Sequence, residues 1–172
     1  MASLMENLIE VLNKECSEYE VLLELSQKKT PIIVSGDLEK LQQITDEEQM
    51  VVSRLHNLER KRTEVTADIA NVLNRDVNNL KLSNLITMLA GRPAEQQVLA
   101  EVHDRLQLSV RGLQRVNEQN RELLSNALEM VEFEMNLLQA AKTAPATANY
   151  NRGAYNAGDT MGVVNHGFDA KQ

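Results

Sequence analysis

Apolar residues recur every three or four positions along most of the chain, which is the spacing that one face of an α-helix requires. The first such stretch predicts a helix over about residues 3–29, ended by a basic turn before Pro31. Asp37 is a good N-cap residue, and the stretch after it predicts a second helix over about 37–75. These two stretches indicate long helices rather than strands.

A short leucine-rich segment and a final long stretch complete the helical pattern. Ser83 is suited to cap a helix over about 83–90, and Gly91 is suited to close it. Pro93 then favours the first turn of a helix over about 93–142. This last helix has about 49 residues and the second about 39, so at 1.5 Å per residue the last is longer by roughly 15 Å.

The second and last helices share a stricter pattern, the alternation of three- and four-residue spacings that forms the seam of a coiled coil. In the second helix the seam positions are Leu41, Ile44, Glu48, Val51, Leu55, Leu58, Arg62, Val65, Ile69 and Val72. In the last helix they are Leu99, Val102, Leu106, Ser109, Leu113, Val116, Asn120, Leu123, Ala127, Met130, Glu134 and Leu137. We expect an all-α fold, a long antiparallel helical hairpin or three-helix bundle with coiled-coil-like packing and one short connecting helix. In such a bundle the final turns of the longest helix extend past the turn at 31–37.

The character of the sequence changes completely after the last helix. The segment 143–172 holds four of the seven glycines and shows no apolar periodicity, which is typical of a flexible tail. We therefore expect one helical domain over 1–142 followed by a disordered tail. In an alternative, the tail folds over an apolar patch of the free protein and places Tyr150, Tyr155 or Phe168 there.

Composition and charge narrow the range of functions. The chain is 42% hydrophobic but only 3% aromatic, which suits long helical seams better than a deep small-molecule pocket. The formal net charge of −7 disfavours nucleic acid and anionic lipid as partners, because both reward cationic surfaces. One cysteine leaves no internal disulfide, and we see neither a signal-peptide pattern nor an apolar run that could span a membrane. We expect a cytoplasmic protein whose partner is another protein.

No motif indicates catalysis or a bound cofactor. His56, His103 and His166 lie on separate segments without the spacing of metal ligands, and neither a phosphate-binding loop nor a catalytic triad pattern occurs. We expect no enzyme activity, no metal and no cofactor. The basic run 60–62 is expected to form ion pairs one turn away on a solvated helix face, and Cys16 to be a small core residue.

The interior of the last helix contains a glycine and two closely spaced asparagines that are poor helix formers. Gly112 suggests the close approach of another backbone. Asn120 occupies a seam position, and Asn117 lies on the edge of the seam. A buried Asn lowers stability but fixes the register of packed helices, because only one alignment gives the amide its partners. We interpret the two amides as register-setting residues.

The segment VNEQNRELL, which contains both amides, resembles the N-x-x-N-x-x-L-L signature of the FlgN family of flagellar export chaperones. DEEQMVVSRLHNLERKR is similar to the pattern of that family's second helix, LSNLITML to its short leucine helix, and GFDAKQ to the ends of members from Gram-positive-type bacteria. The resemblance implies a small cytosolic chaperone whose partners are the hook-filament junction proteins FlgK and FlgL and the flagellar export apparatus. Such a chaperone binds FlgK and FlgL before they pass through the type III export machinery.

The segment MVEFEMNLL, residues 130–138, contains more apolar side chains than one seam needs. Exposed apolar patches of this kind usually mark interaction surfaces, and methionine adapts to more than one partner. We predict that an amphipathic cargo helix binds there. The predicted cargo-binding residues are Leu123, Leu124, Met130, Val131, Phe133, Met135, Leu137 and Leu138.

Two interpretations of this apolar segment stay open. As a chaperone, the protein would cover the polymerising helices of its cargo, block premature assembly and release the cargo at the export gate. Alternatively, the same residues pack on the first helix or in a homodimer as ordinary core. The protein would then be a structural coiled-coil adaptor with no role in export.

Overall fold

The computed structural model describes residues 2–77 and 80–143, and α-helix is the dominant structure in both ranges. The helices are α1 (Ala2–Ser35), α2 (Leu38–Leu73), α3 (Leu82–Met88) and α4 (Pro93–Thr143), with a 3₁₀ turn at Leu89–Gly91 between α3 and α4. No strand occurs in the described ranges. The all-α prediction is confirmed, whereas the tail predicted over 143–172 lies outside the described residues apart from Thr143.

The C-terminal end of α1 differs from the prediction. The helix does not stop before Pro31 but continues to Ser35. A proline removes one helical hydrogen bond, but the turn that follows stays packed because Ile33 is buried and Ile32 is partly buried. Gly36 follows the last helical residue and closes the helix, since its φ of 69° suits glycine and its N–H donates to the Ile32 carbonyl oxygen at 3.1 Å.

Of the two predicted N-caps, one is observed and the other is wrong. Asp37 caps α2, because its Oδ1 accepts from the backbone N–H of Lys40 at 3.1 Å. The cap position of α3 is Lys81 rather than Ser83, and the Lys81 carbonyl accepts from the N–H of Leu85 at 3.0 Å. Leu85 is the buried residue that α3 presents to the core.

Side-chain contacts show that α1 and α2 run antiparallel. Glu18 of α1 accepts from Arg54 Nε of α2 at 2.9 Å. Glu15, which lies earlier in α1, accepts from Arg62 Nε, which lies later in α2, at 3.0 Å. The two helices are therefore the hairpin that their short connection requires.

The pair of Glu15 and Arg62 corrects the expectation for the basic run. Arg60 and Lys61 are exposed, as a solvated face requires, but the Arg62 side chain is 33% exposed and points to α1. Glu15 is only 3% exposed. Burial raises the pKa of the Glu15 carboxyl, although the nearby guanidinium opposes the shift. Arg62 therefore pairs across the bundle with Glu15, and its Nη2 also lies 3.8 Å from Oε1 of Glu59, the expected kind of partner one turn away.

Helix α4 runs parallel to α1. Arg105 donates to Glu20 of α1 through two nitrogens, at 2.6 and 2.8 Å, and further along both helices Gly112 lies beside Leu23. A Cβ atom at position 112 would stand 3.2 Å from Leu23 Cδ2. A side chain, rather than the expected backbone, therefore fills the space that the glycine leaves.

The buried apolar residues form two clusters along the bundle. One joins all four helices around Cys16, whose Sγ lies 3.6 Å from the Val102 carbonyl oxygen. Its members are Met5, Leu8, Leu12, Cys16, Ile69, Ala70, Leu80, Leu85, Leu99 and Val102. The other joins α1, α2 and α4 and contains Leu22, Leu25, Ile44, Val51, Leu55 and Leu113. Cys16 is a core residue, as expected, and burial raises the pKa of its thiol.

The chain divides into two units, Met1–Met130 and Val131–Gln172. The first contains every buried residue of the described ranges. Of the second, the structure describes residues 131–143, which are helical and exposed throughout. Along α4 the last buried residue is Asn120, and every described residue after Leu124 is exposed.

Candidate functional site

Asn120 lies at the centre of a buried polar contact between α4 and α1. It is 4% exposed. Its Nδ2 donates to the Ser26 carbonyl oxygen at 2.8 Å, and the Thr30 hydroxyl donates to its Oδ1 at 2.7 Å. Both ends of the amide find partners on α1, and a shift of α4 by one residue would leave them unpaired. A residue that sets helix register needs contacts of this kind.

Next to Asn120, the side chain of Glu48 connects α2 to α1. Ser26 Oγ donates to Glu48 Oε1 at 3.1 Å, and Lys29 Nζ donates to Glu48 Oε2 at 2.7 Å. Because Ser26 also contacts Asn120, one polar network connects three helices. The sequence places Glu48 on the seam of α2, but it carries no signal for Ser26 or Lys29, whose role depends on which helix packs opposite.

Replacing each asparagine separately tests the two amide positions. Asn120→Ala leaves the groups on Ser26 and Thr30 without their partner, so it should lower the free energy of unfolding by about 2 kcal/mol. Asn117 is exposed, and Asn117→Ala should change the free energy by less than about 0.5 kcal/mol. Urea denaturation followed by circular dichroism measures both variants. Equal effects would contradict a structural role for the buried amide.

A groove open to solvent is lined by all three long helices. Its volume is about 560 Å³. The lining residues are Leu22, Ser26 and Lys29 of α1, Glu48 and Val52 of α2, and Asn117, Asn120, Arg121, Leu124, Ser125 and Leu128 of α4. Several members of the polar network are among them, so the network lies beside the groove as well as between the helices. Asn117 takes no part in the network and belongs to the groove surface.

The predicted cargo-binding residues fall into two groups by exposure. Leu123 and Leu124 are half-buried. Met130, Val131, Phe133, Met135, Leu137 and Leu138 are each between 52% and 66% exposed. Leu128, which the prediction omitted, is equally exposed at 64%. These seven exposed side chains, which we call the apolar surface, have the character of an interaction surface.

Heptad spacing explains why this end of α4 carries more apolar side chains than a single seam. The seam continues as Ala127, Met130, Glu134 and Leu137. A second row, spaced four and three residues apart, consists of Leu124, Leu128, Val131, Met135 and Leu138. Seven residues before Leu124 and Leu128, the equivalent positions hold Asn117 and Arg121, so this row becomes apolar only at Leu124. This second row is visible in the sequence, and it could have added Leu128 to the predicted cargo-binding residues.

The charged side chains around the apolar surface are mostly acidic. Residues 125–143 contain Glu129, Glu132 and Glu134 but only one basic residue, Lys142. An anionic rim favours a partner that carries basic side chains beside its apolar ones, because complementary charge speeds encounter and selects among partners.

The histidines form no metal site in the part of the chain that the structure describes, where no group of three or more potential ligands occurs. His56 Nδ1 lies 3.7 Å from Glu59 Oε2, and His103 Nδ1 lies 3.2 Å from Asp104 Oδ1. His166 falls outside the described ranges. Within the same part of the chain, no helix combines the length and hydrophobicity that crossing a membrane demands.

Comparison with protein families matches nearly the whole chain. The model of the family described as FlgN protein matches residues 1–157. This chain belongs to the FlgN family. FlgN proteins are flagellar export chaperones, which bind protein cargo and are not enzymes, so the family supports an export-chaperone role here.

Among curated proteins, this FlgN-family chain is similar to "Uncharacterized protein YvyG" of Bacillus subtilis (strain 168). The two are 28% identical over 144 residues, which cover 84% of this chain and 83% of the relative. No solved structure matches the chain. The resemblance carried by the sequence motifs is thus confirmed as family membership, and the residues that bind cargo stay a prediction.

Proposed function

We propose that this FlgN-family protein binds the hook-filament junction proteins FlgK and FlgL in the cytoplasm, keeps them unassembled and delivers them to the flagellar type III export apparatus. The family match supports the chaperone role. The observation that carries the position of the cargo site is the exposure of the apolar surface, whose seven large side chains are each more than half exposed.

Burial of the apolar surface would supply the binding free energy. Covering a large apolar side chain completely contributes about 1.5–3 kcal/mol. Loss of translational freedom and ordering of side chains offset much of that gain. A surface of this size therefore suits a stable but reversible complex, and reversibility is needed because the cargo must leave the chaperone at the export gate.

The cargo segment that fits this surface is an amphipathic helix. A helix with apolar rows binds another helix through side chains spaced three and four residues apart. Met130 and Met135 allow the surface to adapt to two different cargoes, since their side chains are flexible. By covering a cargo helix that otherwise joins cargo subunits, the chaperone prevents premature polymerisation without nucleotide chemistry of its own.

A structural coiled-coil adaptor is the second candidate function. Its support is the seam of α4, which continues through Met130 and Leu137 at the spacing of a coiled coil. The apolar surface would then pair with the same surface of a second copy. An adaptor of this kind should self-associate at micromolar concentration.

Size-exclusion chromatography with light scattering, performed with and without purified FlgK or FlgL of the same bacterium, separates the two functions. The chaperone is expected to be monomeric alone and to form a complex with each cargo. Calorimetric titration should show a negative heat-capacity change, because binding buries apolar area. Self-association without cargo binding would support the adaptor and contradict the proposal.

A further inference from the structure

We propose that the groove lined by α1, α2 and α4 is a second contact site for the cargo, where a cargo helix inserts apolar side chains and pairs a carboxylate with Arg121. This inference rests on the proposed chaperone function. It adds to the apolar surface a site built from three helices, so that the bundle takes part in recognition along with the end of α4.

The groove offers apolar contacts that the chain does not use. Val52 of α2 is 38% exposed and Leu128 of α4 is 64% exposed, and both line the groove with the half-buried Leu124. The groove has a volume of about 560 Å³, which is large enough to admit side chains rather than single water molecules. A partner helix lying between α2 and α4 would cover Val52 and Leu128 together.

Among the charged side chains that line the groove, the guanidinium of Arg121 has no ion-pair partner in the described residues. Lys29 and Glu48 neutralise each other through a contact of 2.7 Å. The Arg121 side chain is exposed, and its guanidinium forms no ion pair or hydrogen bond with any other described residue. A guanidinium in this position can bind a carboxylate through two parallel hydrogen bonds. The occupant is therefore expected to carry Asp or Glu next to its apolar side chains.

The pattern of α4 connects the groove to the proposed cargo site. Leu124 and Leu128 line the groove and are also the first two members of the second row, which continues as Val131, Met135 and Leu138. A helical partner that contacts Leu124 and Leu128 by heptad spacing contacts groove residues. Because the family binds protein cargo, cargo is the occupant that this row favours over a second copy of the chain.

Two substitutions and two matched controls test the groove in the full-length chain. Val52→Lys and Arg121→Glu should each weaken binding to purified FlgK or FlgL by about tenfold, the equivalent of about 1.4 kcal/mol. Val72→Lys and Arg115→Glu make the same changes at exposed positions of α2 and α4 outside the groove, and they should bind within about twofold of the unmodified chain. Fluorescence anisotropy measures affinity, and thermal denaturation tests whether all four variants fold.

The possible results separate the inference from the function on which it rests. Absence of cargo binding by the unmodified chain would contradict the proposed function itself. If that chain binds cargo and both groove variants bind as well as their controls, only the groove inference is overturned. Tighter cargo binding by Val52→Lys would identify the chain's own segment 144–172 as the occupant. Loss of a dimer with unchanged cargo affinity would identify a second copy, and each of these last two results also overturns the inference.

Discussion

The triple variant Phe133→Ser, Leu137→Ser and Leu138→Ser is expected to bind FlgK and FlgL at least about 100-fold more weakly than the unmodified chain. Central apolar side chains of an interface often cost more than about 1 kcal/mol each when truncated, and about 1.4 kcal/mol is tenfold in affinity. The thermal midpoint should shift by less than about 2 °C, because all three side chains are more than half exposed in the free protein. Calorimetric titration and thermal denaturation measure the two effects.

A control variant on the polar face of the same helix excludes a general effect of serine. Asn136→Ser combined with Gln139→Ser alters exposed, uncharged residues in the same segment of α4. This variant should retain cargo affinity within about threefold, since rim residues contribute little to binding. A large loss of stability in the apolar triple variant would instead show that Phe133, Leu137 and Leu138 are ordinary core.

Arg62→Met is expected to lower the free energy of unfolding by about 3 kcal/mol at pH 7.5, since removing one partner of a buried ion pair leaves the other charge uncompensated. The charge left behind is that of Glu15, which is 3% exposed. Arg60→Met, on the exposed side of the same turn, should cost less than about 0.5 kcal/mol. Urea denaturation of both variants provides the measurement.

The loss caused by Arg62→Met should become smaller as the pH falls. Burial already raises the pKa of the Glu15 carboxyl in the folded protein, and removal of the guanidinium raises it further. The folded state then binds a proton at a pH where the unfolded state has released it. Stability is therefore gained as the pH falls through the raised pKa and lost as the pH rises through it. A loss that is the same at pH 5 and pH 7.5 would contradict an ionised, buried Glu15.

Replacing both Glu15 and Arg62 tests whether the stability lost in Arg62→Met is caused by charge. Glu15→Met combined with Arg62→Met should recover most of the lost free energy, because an apolar pair often substitutes for a buried ion pair at little cost. The pH dependence of the loss should disappear as well. If the double variant is as unstable as Arg62→Met alone, the loss arises from packing of the arginine stem rather than from charge.

The helical fold could be predicted from the sequence because apolar periodicity is a local signal. Val51 and Leu113, both on predicted seams, are indeed buried in the same cluster. Pairing between helices is not local. Glu48 and Arg62 were placed on the seam of α2, but their partners on α1 depend on how far the helices slide along each other, which one sequence does not encode in any short motif.

The end of α1 and the groove were missed for a related reason. A proline usually marks a helix boundary, but packing of Ile33 after Pro31 outweighs one lost hydrogen bond. The apolar surface was visible as an excess of large side chains on one helix. The groove was not visible in the sequence, because Val52 and Arg121 come from different helices and line one groove only after the bundle has formed.

The unbroken course of α4 makes its far end dependent on the rest of the molecule. Residues 125–143 are helical although none of them is buried. An isolated peptide of comparable length is only partly helical in water, because the first turn is unfavourable to form. In α4 the earlier, packed turns serve as the nucleus, and the later turns need only propagate from it. A substitution that unfolds the packed turns would thus lower the affinity for a partner bound at residues 125–143, although it alters no residue that the partner contacts.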